Sequence, residues 1–282
     1  MRLANIDGRL VLRGPGGRVD VAEASGGRFG PDPQDAYRDW DAFTAWARGA
    51  GLAGPAEGPA PDGGSYGPPV PRPAQVFAIG LNYREHAAEA GLDEPASATV
   101  FTKFPTSVAG HDAPVELPGG KVDWEAELVV VIGRRCHRAA REDAWSYVAG
   151  LSVGQDLSER DLQLSGPVPQ FSLGKSYPGF APVGPELVTT DEFADPGDLA
   201  ISCALEGGEV LQKSRTSCMI FDVPELIVQL SAVCPLLPGD LVFTGTPSGV
   251  GMARDPQRFL SPGEVLLTTI EGVGTLRTPL TG

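Results

Sequence analysis

The chain is short of sulfur, of positive charge, of histidine and of long apolar runs, and each shortage closes off a class of function. Its 282 residues contain four cysteines, Cys136, Cys203, Cys218 and Cys234, none of them in a Cys-x-x-Cys pair. A thiolate zinc site is thereby disfavoured. Four thiols in a chain of this length make no disulfide framework, so they read as reduced, mostly buried groups of a cytoplasmic protein. Lys+Arg 22 against Asp+Glu 36 leave a net charge of −14. That sign repels phosphate backbones and anionic lipids, so neither nucleic acid nor a membrane surface is an expected partner. No apolar run approaches the ~20 residues of a membrane span, and residues 1–7 carry no apolar signal core. The glycine-rich stretch 245–251 lacks a following Lys-Ser/Thr, so it is no P-loop, and no dinucleotide fingerprint is present. The absence of a Gly-x-Ser-x-Gly elbow disfavours a serine hydrolase.

What is present begins with turns. Glycine numbers 37 and proline 27, which predicts many loops and few, short helices, while 41% hydrophobic residues suffice for a real core. The length suits one large domain, or one domain with a small appendage. Residues 1–52 read as a small N-terminal domain, with a hairpin of 9–13 and 18–22 around Gly14-Pro15-Gly16-Gly17. A helix is expected over 35–48, with Tyr37, Trp40, Phe43 and Trp46 as a packing stripe. Residues 53–73, rich in proline and glycine, read as a linker, and 74–282 as the catalytic domain. There, strand 75–80 leads to a short helix that Asn82 and Glu85 would close as a capping box and Gly91 would end. His86 and Glu89, three apart, share a face of that helix. With the polar loop 92–99 behind it, the helix could move as a lid. Further on, strands are expected over 99–102, 113–117, 148–154, 199–205, 209–212, 264–271 and 274–280. Helices are expected over 141–147 and 221–233, and a third, capped by Ser158, carries Arg160 and Gln163. The loop 166–174 delivers Lys175.

One stretch stands apart. Residues 122–133 end in the β-branched run of a buried strand, yet Asp123, Glu125 and Glu127 occupy alternate positions near its start. Strand alternation puts the three acids on one face. Crowded acids beside a core repel one another and are costly to bury unpaired. A hard divalent ion such as Mg²⁺, Mn²⁺ or Ca²⁺ would remove both penalties; a solvated edge-strand face is the plainer alternative. Asp156 serves equally as a helix cap, and Lys175 as a surface lysine. His111 and His137 sit in polar, surface-like settings.

Taken jointly, these motifs carry a resemblance. Gly80-Leu81-Asn82-Tyr83-Arg84-Glu85-His86, Phe101-Thr102-Lys103, Asp123-Trp124-Glu125-Ala126-Glu127, Gly154-Gln155-Asp156 through Arg160 to Gln163, Gly174-Lys175-Ser176 and Thr244-Gly245-Thr246-Pro247 occur in this order. The order and spacing over about 74–282 resemble the fumarylacetoacetate hydrolase family. The resemblance implies an α+β, β-rich fold, a mixed β-sandwich roll, with a small N-terminal domain, usually in a homodimer. It implies one Mg²⁺, Mn²⁺ or Ca²⁺ per site on Glu125, Glu127 and Asp156. It assigns the lid dyad to His86 and Glu89, and contact with the reacting oxygens to Lys175. Arg160, Gln163 and Thr246 fall on the substrate-binding positions. Asp123 then takes a structural role. Gln155 departs from the asparagine of many relatives but keeps an amide.

Such residues suit cleavage of a C–C bond beside a carbonyl in small anionic oxo acids. The ion would act as Lewis acid toward the leaving enolate, the His86–Glu89 pair would activate a water, and Lys175, Arg160 and Gln163 would stabilise the oxyanion. An acylpyruvate-type C–C hydrolase is the first reading. Oxaloacetate-type decarboxylation and isomerisation of 2-hydroxyhepta-2,4-diene-1,7-dioate are the second, since all pass through the same enolate. A non-catalytic small-molecule-binding relative would be expected to lack a metal ligand or the dyad, and every one of those positions is filled here.

Overall fold

The computed structural model describes residues 1–14, 17–52 and 64–282. Pro15 and Gly16 of the expected hairpin turn, and residues 53–63 of the expected linker, lie outside the described residues.

Strand Ala126–Ile132 is buried along its whole length. Leu128, Val130 and Ile132 enter one apolar core, and Val129 and Val131 enter another. A β-branched run buried on both faces belongs in the middle of a layered sheet, and that is its position. Among the described residues the main sheet has eleven strands. Its path runs Gly17–Asp20, Arg9–Gly14, Arg2–Ile6, Ala181–Val188, Val148–Gln155, Ala126–Ile132, Leu241–Phe243, Val76–Gly80 and Thr99–Thr102. Only the Leu241–Phe243 and Val76–Gly80 neighbours on this path run parallel. A second sheet of five strands centres on Ala200–Leu205, Val265–Ile270 and Gly274–Thr281. The first core fills the space between the two sheets and takes in Leu226, Ile227 and Leu230 of helix Val223–Val233. The second core joins Leu3, Leu10 and Leu12 to Val129, Val131 and Phe243, under helix Trp40–Gly49. The fold is thus the β-rich α+β roll.

Several local expectations were displaced by better-paired alternatives. The helix expected over 35–48 is two pieces, a 3₁₀ turn Pro33–Tyr37 and an α-helix Trp40–Gly49, because Asp39 accepts from Ala42 N and starts a new helix. The aromatic stripe is packing: Tyr37 stacks on Trp40 at 5.7 Å, and Trp40 and Phe43 tilt together at 5.7 Å. Val21 and Ala22 begin a short helix instead of extending the hairpin, since Asp20 accepts from Glu23 N. Asn82 does not cap helix Arg84–Glu89. Fully buried, its amide donates to Thr244 O at 2.7 Å and Phe221 O at 3.0 Å, and accepts from Phe221 N at 2.8 Å. Three long-range bonds from an enclosed side chain outweigh one cap. Ser158 is likewise no cap; Glu159 takes that place and accepts from Asp161 N and Leu162 N. A helical turn, Phe171–Gly174, forms inside the expected loop before Lys175. His111 is half-buried, its Nδ1 accepting from Arg277 N.

Candidate active site

The acidic stretch is not one continuous strand. Val122–Asp123 pairs with Ser158–Glu159, two residues intervene, and Ala126–Ile132 then joins the main sheet. This break separates the acids by role. Asp123 accepts from Trp124 N, Gly251 N and Met252 N and pairs with Arg160, so its carboxylate is spent on holding the backbone and one guanidinium. Glu125 and Glu127 instead meet Asp156, which arrives at the end of strand Val148–Gln155. Ligand oxygens of these three lie within 4.8 Å of one another, and all three residues are buried.

Cations surround two of the three. Lys175, 2% exposed, donates to Glu125 Oε2 at 2.8 Å, Asp156 Oδ2 at 2.7 Å and Ser158 Oγ at 2.7 Å. Arg160 reaches Glu125 Oε1 at 2.7 Å and Gln163 Oε1 at 2.9 Å. Burial pushes the Glu125 carboxyl up, but Lys175 and Arg160 outweigh it and hold the group at about 2. Burial pushes the Lys175 ammonium down, and the Asp156 and Glu125 charges reverse that. Glu127 differs. Its carboxylate Oε2 accepts from Gly245 N at 2.8 Å. Burial first, and then the charges of Asp156 and Glu125, hold its carboxyl well above the usual range. Three enclosed oxygen donors, one of them an acid that makes no ion pair among the described residues, form a donor set that fits a hard divalent ion.

Helix Arg84–Glu89 brings the dyad. His86 Nδ1 lies 3.1 Å from Glu89 Oε2, and Glu89 Oε1 accepts from Gly249 N at 2.9 Å. With the carboxylate as acceptor, Nδ1 carries the proton and Nε2 keeps its lone pair. His86 is near enough to Glu125 that the protonated ring would favour the Glu125 carboxylate. Glu85 is hydrogen-bonded to Ser214, which ties this helix to strand Val210–Arg215.

Thr246 is at the site, but its hydroxyl is engaged, donating to Ala126 O at 2.9 Å and accepting from Gln212 at 2.8 Å. Gln212, absent from the sequence reading, also accepts from Ala126 N. It orients the loop and the acidic strand together, and a polar residue on an edge hairpin gives no sequence signal of that. Gln155 uses its extra methylene to span the sheets: it accepts from Glu125 N at 2.9 Å and donates to Thr268 Oγ1 at 2.6 Å. Lys103, the other unassigned residue, is fully enclosed beside Asp156.

Gly245 has φ +96°, and a Cβ there would stand 2.6 Å from Asn82 Cβ and 3.1 Å from Ile79 O. Gly245→Ala is therefore expected to shift the loop and lift its N–H from Glu127. A fall in kcat/KM of at least about tenfold, together with a lower melting temperature, is the outcome to measure; one lost charged hydrogen bond is worth about 1.5–3 kcal/mol. Wild-type values for both would show that the loop tolerates the strain.

Residues 75–281 match the family model described as Fumarylacetoacetate (FAA) hydrolase C-terminal, and the chain belongs to the fumarylacetoacetate hydrolase family of enzymes. Among solved structures it is similar to a Mycobacterium smegmatis protein provisionally named HpcE: 55% identity, TM-score 0.92, covering 100% of this chain and 99% of that one. It is 42% identical over 210 residues to the oxaloacetate tautomerase FAHD2A, mitochondrial, of Bos taurus, covering 74% of this chain and 67% of the bovine protein. A maleylpyruvate hydrolase from Sphingobium sp. SYK-6, solved with manganese(II) and pyruvate, is 30% identical with TM-score 0.78, covering 100% of this chain and 99% of that one. No helix among the described residues is long and apolar enough to cross a membrane.

Proposed function

We propose that this protein performs enolate chemistry on small anionic 2-oxo acids, with Mg²⁺ or Mn²⁺ held by Glu125, Glu127 and Asp156 and Ca²⁺ also compatible with those donors. The observation that carries this reading is the buried cluster in which three carboxylates within 4.8 Å adjoin Lys175 and Arg160, with His86 close by. The ion, when bound, supplies Lewis-acid stabilisation for charge developing on the substrate oxygens. The chain's own residues do the rest. Lys175 and Arg160 offer fixed positive charge in a water-poor site, where it acts more strongly than in bulk solvent. Gln163 holds one arm of Arg160, and Asp123 holds the other. His86 Nε2 accepts a proton from water while Glu89 keeps the ring oriented.

Hydrolysis of the C–C bond of acylpyruvates is the reaction that the His86–Glu89 pair favours, because hydrolysis requires an activated water. Oxaloacetate-type tautomerisation or decarboxylation, or isomerisation of 2-hydroxyhepta-2,4-diene-1,7-dioate, is favoured instead by similarity to a tautomerase and to an HpcE-named protein. One panel separates them: acetylpyruvate, fumarylpyruvate, oxaloacetate and 2-hydroxyhepta-2,4-dienedioate, each with Mn²⁺ and with product identification. Pyruvate plus acetate from acetylpyruvate supports the hydrolase. Keto–enol exchange or CO₂ from oxaloacetate without acylpyruvate cleavage selects the second reading. No turnover of any member overturns both.

A further inference from the structure

Lys103 takes no part in the chemistry above, yet its ammonium is completely enclosed. Nζ lies 2.5 Å from Asp156 Oδ1, is hydrogen-bonded to the main-chain carbonyl of Lys175, and points a third N–H at Leu157 O, 3.5 Å away. Its own backbone is pinned. Lys103 N donates to Val76 O at 3.1 Å, Thr102 Oγ1 donates to the same carbonyl, and Phe104 N donates to Ser176 Oγ. The side chain therefore rises from a fixed base to a fixed end. Asp156 is held at both oxygens, by Lys103 on Oδ1 and by Lys175 on Oδ2.

We propose that Lys103 is a positioning residue that sets two reactive groups at once. It locks the carboxylate plane of Asp156 by occupying Oδ1, so that Oδ2 is the oxygen left on the side of Glu125. By gripping the Lys175 carbonyl it fixes the chain from which the Lys175 ammonium reaches Glu125, Asp156 and Ser158. One buried cation thus couples a metal-ligand position to a substrate-contact position. This inference rests on the reading of Glu125, Glu127 and Asp156 as metal ligands.

The sign of one measurement tests it. Removing a positive charge beside a divalent ion would, by Coulomb's law alone, tighten metal binding. Losing the group that orients a ligand weakens it, commonly by about 10–100-fold. Mn²⁺ binding to the whole protein, followed by the electron paramagnetic resonance signal of the free ion, is expected to weaken at least about tenfold in Lys103→Met. Lys103→Gln, which keeps a donor but no charge, is expected to regain part of the loss. If Lys103→Met does not retain the wild-type near-ultraviolet circular dichroism, Lys103→Gln carries the comparison, with weaker binding than wild type still expected. Binding as tight as wild type, or tighter, in the folded variant overturns the positioning role while leaving the metal site intact. A wild-type protein that takes up no Mn²⁺ overturns the metal reading, and the Lys103 role with it.

Discussion

Exhaustive chelation is expected to abolish turnover of the accepted 2-oxo acid, and Mg²⁺ or Mn²⁺ to restore it. Asp123, Glu125, Glu127 and Asp156 are four buried carboxylates facing three buried cations, Lys103, Lys175 and Arg160. Arg160 bridges Asp123 and Glu125, Lys175 bridges Glu125 and Asp156, and Lys103 pairs with Asp156. Among the described residues Glu127 makes no ion pair; it has a backbone N–H, and burial with the repulsion of two neighbouring acids outweighs the attraction of Lys175. A divalent cation supplies what the side chains do not: positive charge at the point where three oxygen donors converge. Lewis-acid stabilisation of developing charge is worth several kcal/mol, so its loss should slow turnover by about 10³-fold or more. A second readout is independent of activity. An ion present at about 100 times its dissociation constant stabilises the folded state by about 2.7 kcal/mol, so the melting temperature should rise on Mn²⁺ addition. Unchanged turnover after complete chelation, with no thermal shift on adding metal, would sink the metal-dependent mechanism.

The second large effect concerns His86. His86→Ala is expected to lower C–C hydrolysis by about 10²–10⁴-fold, the usual contribution of a positioned general base. Decarboxylation of a β-carboxylated 2-oxo acid by the same variant should fall by less than about tenfold, because that route consumes no water. The geometry supports the contrast. Glu89 is shared between His86 and Gly249, so its Oε1 anchors the helix to the loop while its Oε2 orients the ring. Replacing His86 therefore removes the base without releasing the Glu89–Gly249 contact. Equal losses in both reactions would assign His86 to substrate binding or to closure of the helix instead. The ratio of the two rates in one preparation also cancels errors in active-site concentration.

Much of the scaffold was legible because its signals are local. The β-branched apolar run that closes 122–133 and the apolar period of the helix expected over 221–233 each depend on neighbours a few positions away. The two displaced caps have a common cause. Asn82 and Ser158 both have side chains that suit a cap, and a cap is what local sequence suggests. In the fold each bonds to residues outside its own helical turn, and a buried polar group settles where it finds the most partners.

For the site itself, the sequence alone determined which oxygen donors exist, that Glu125 and Glu127 share a parity on the strand, and that His86 and Glu89 share a helix face. Period and spacing decide those things, and they survive any packing. Tertiary structure decided the division of labour. The strand break after Asp123 turned that carboxylate toward Gly251, Met252 and Arg160, and the convergence of separate strands placed Asp156 against the two glutamates. It also enclosed Lys103 and Lys175, which as isolated letters are surface lysines. Burial and charge pairing are properties of segments brought together from residues dozens of positions apart, and no window of sequence contains them.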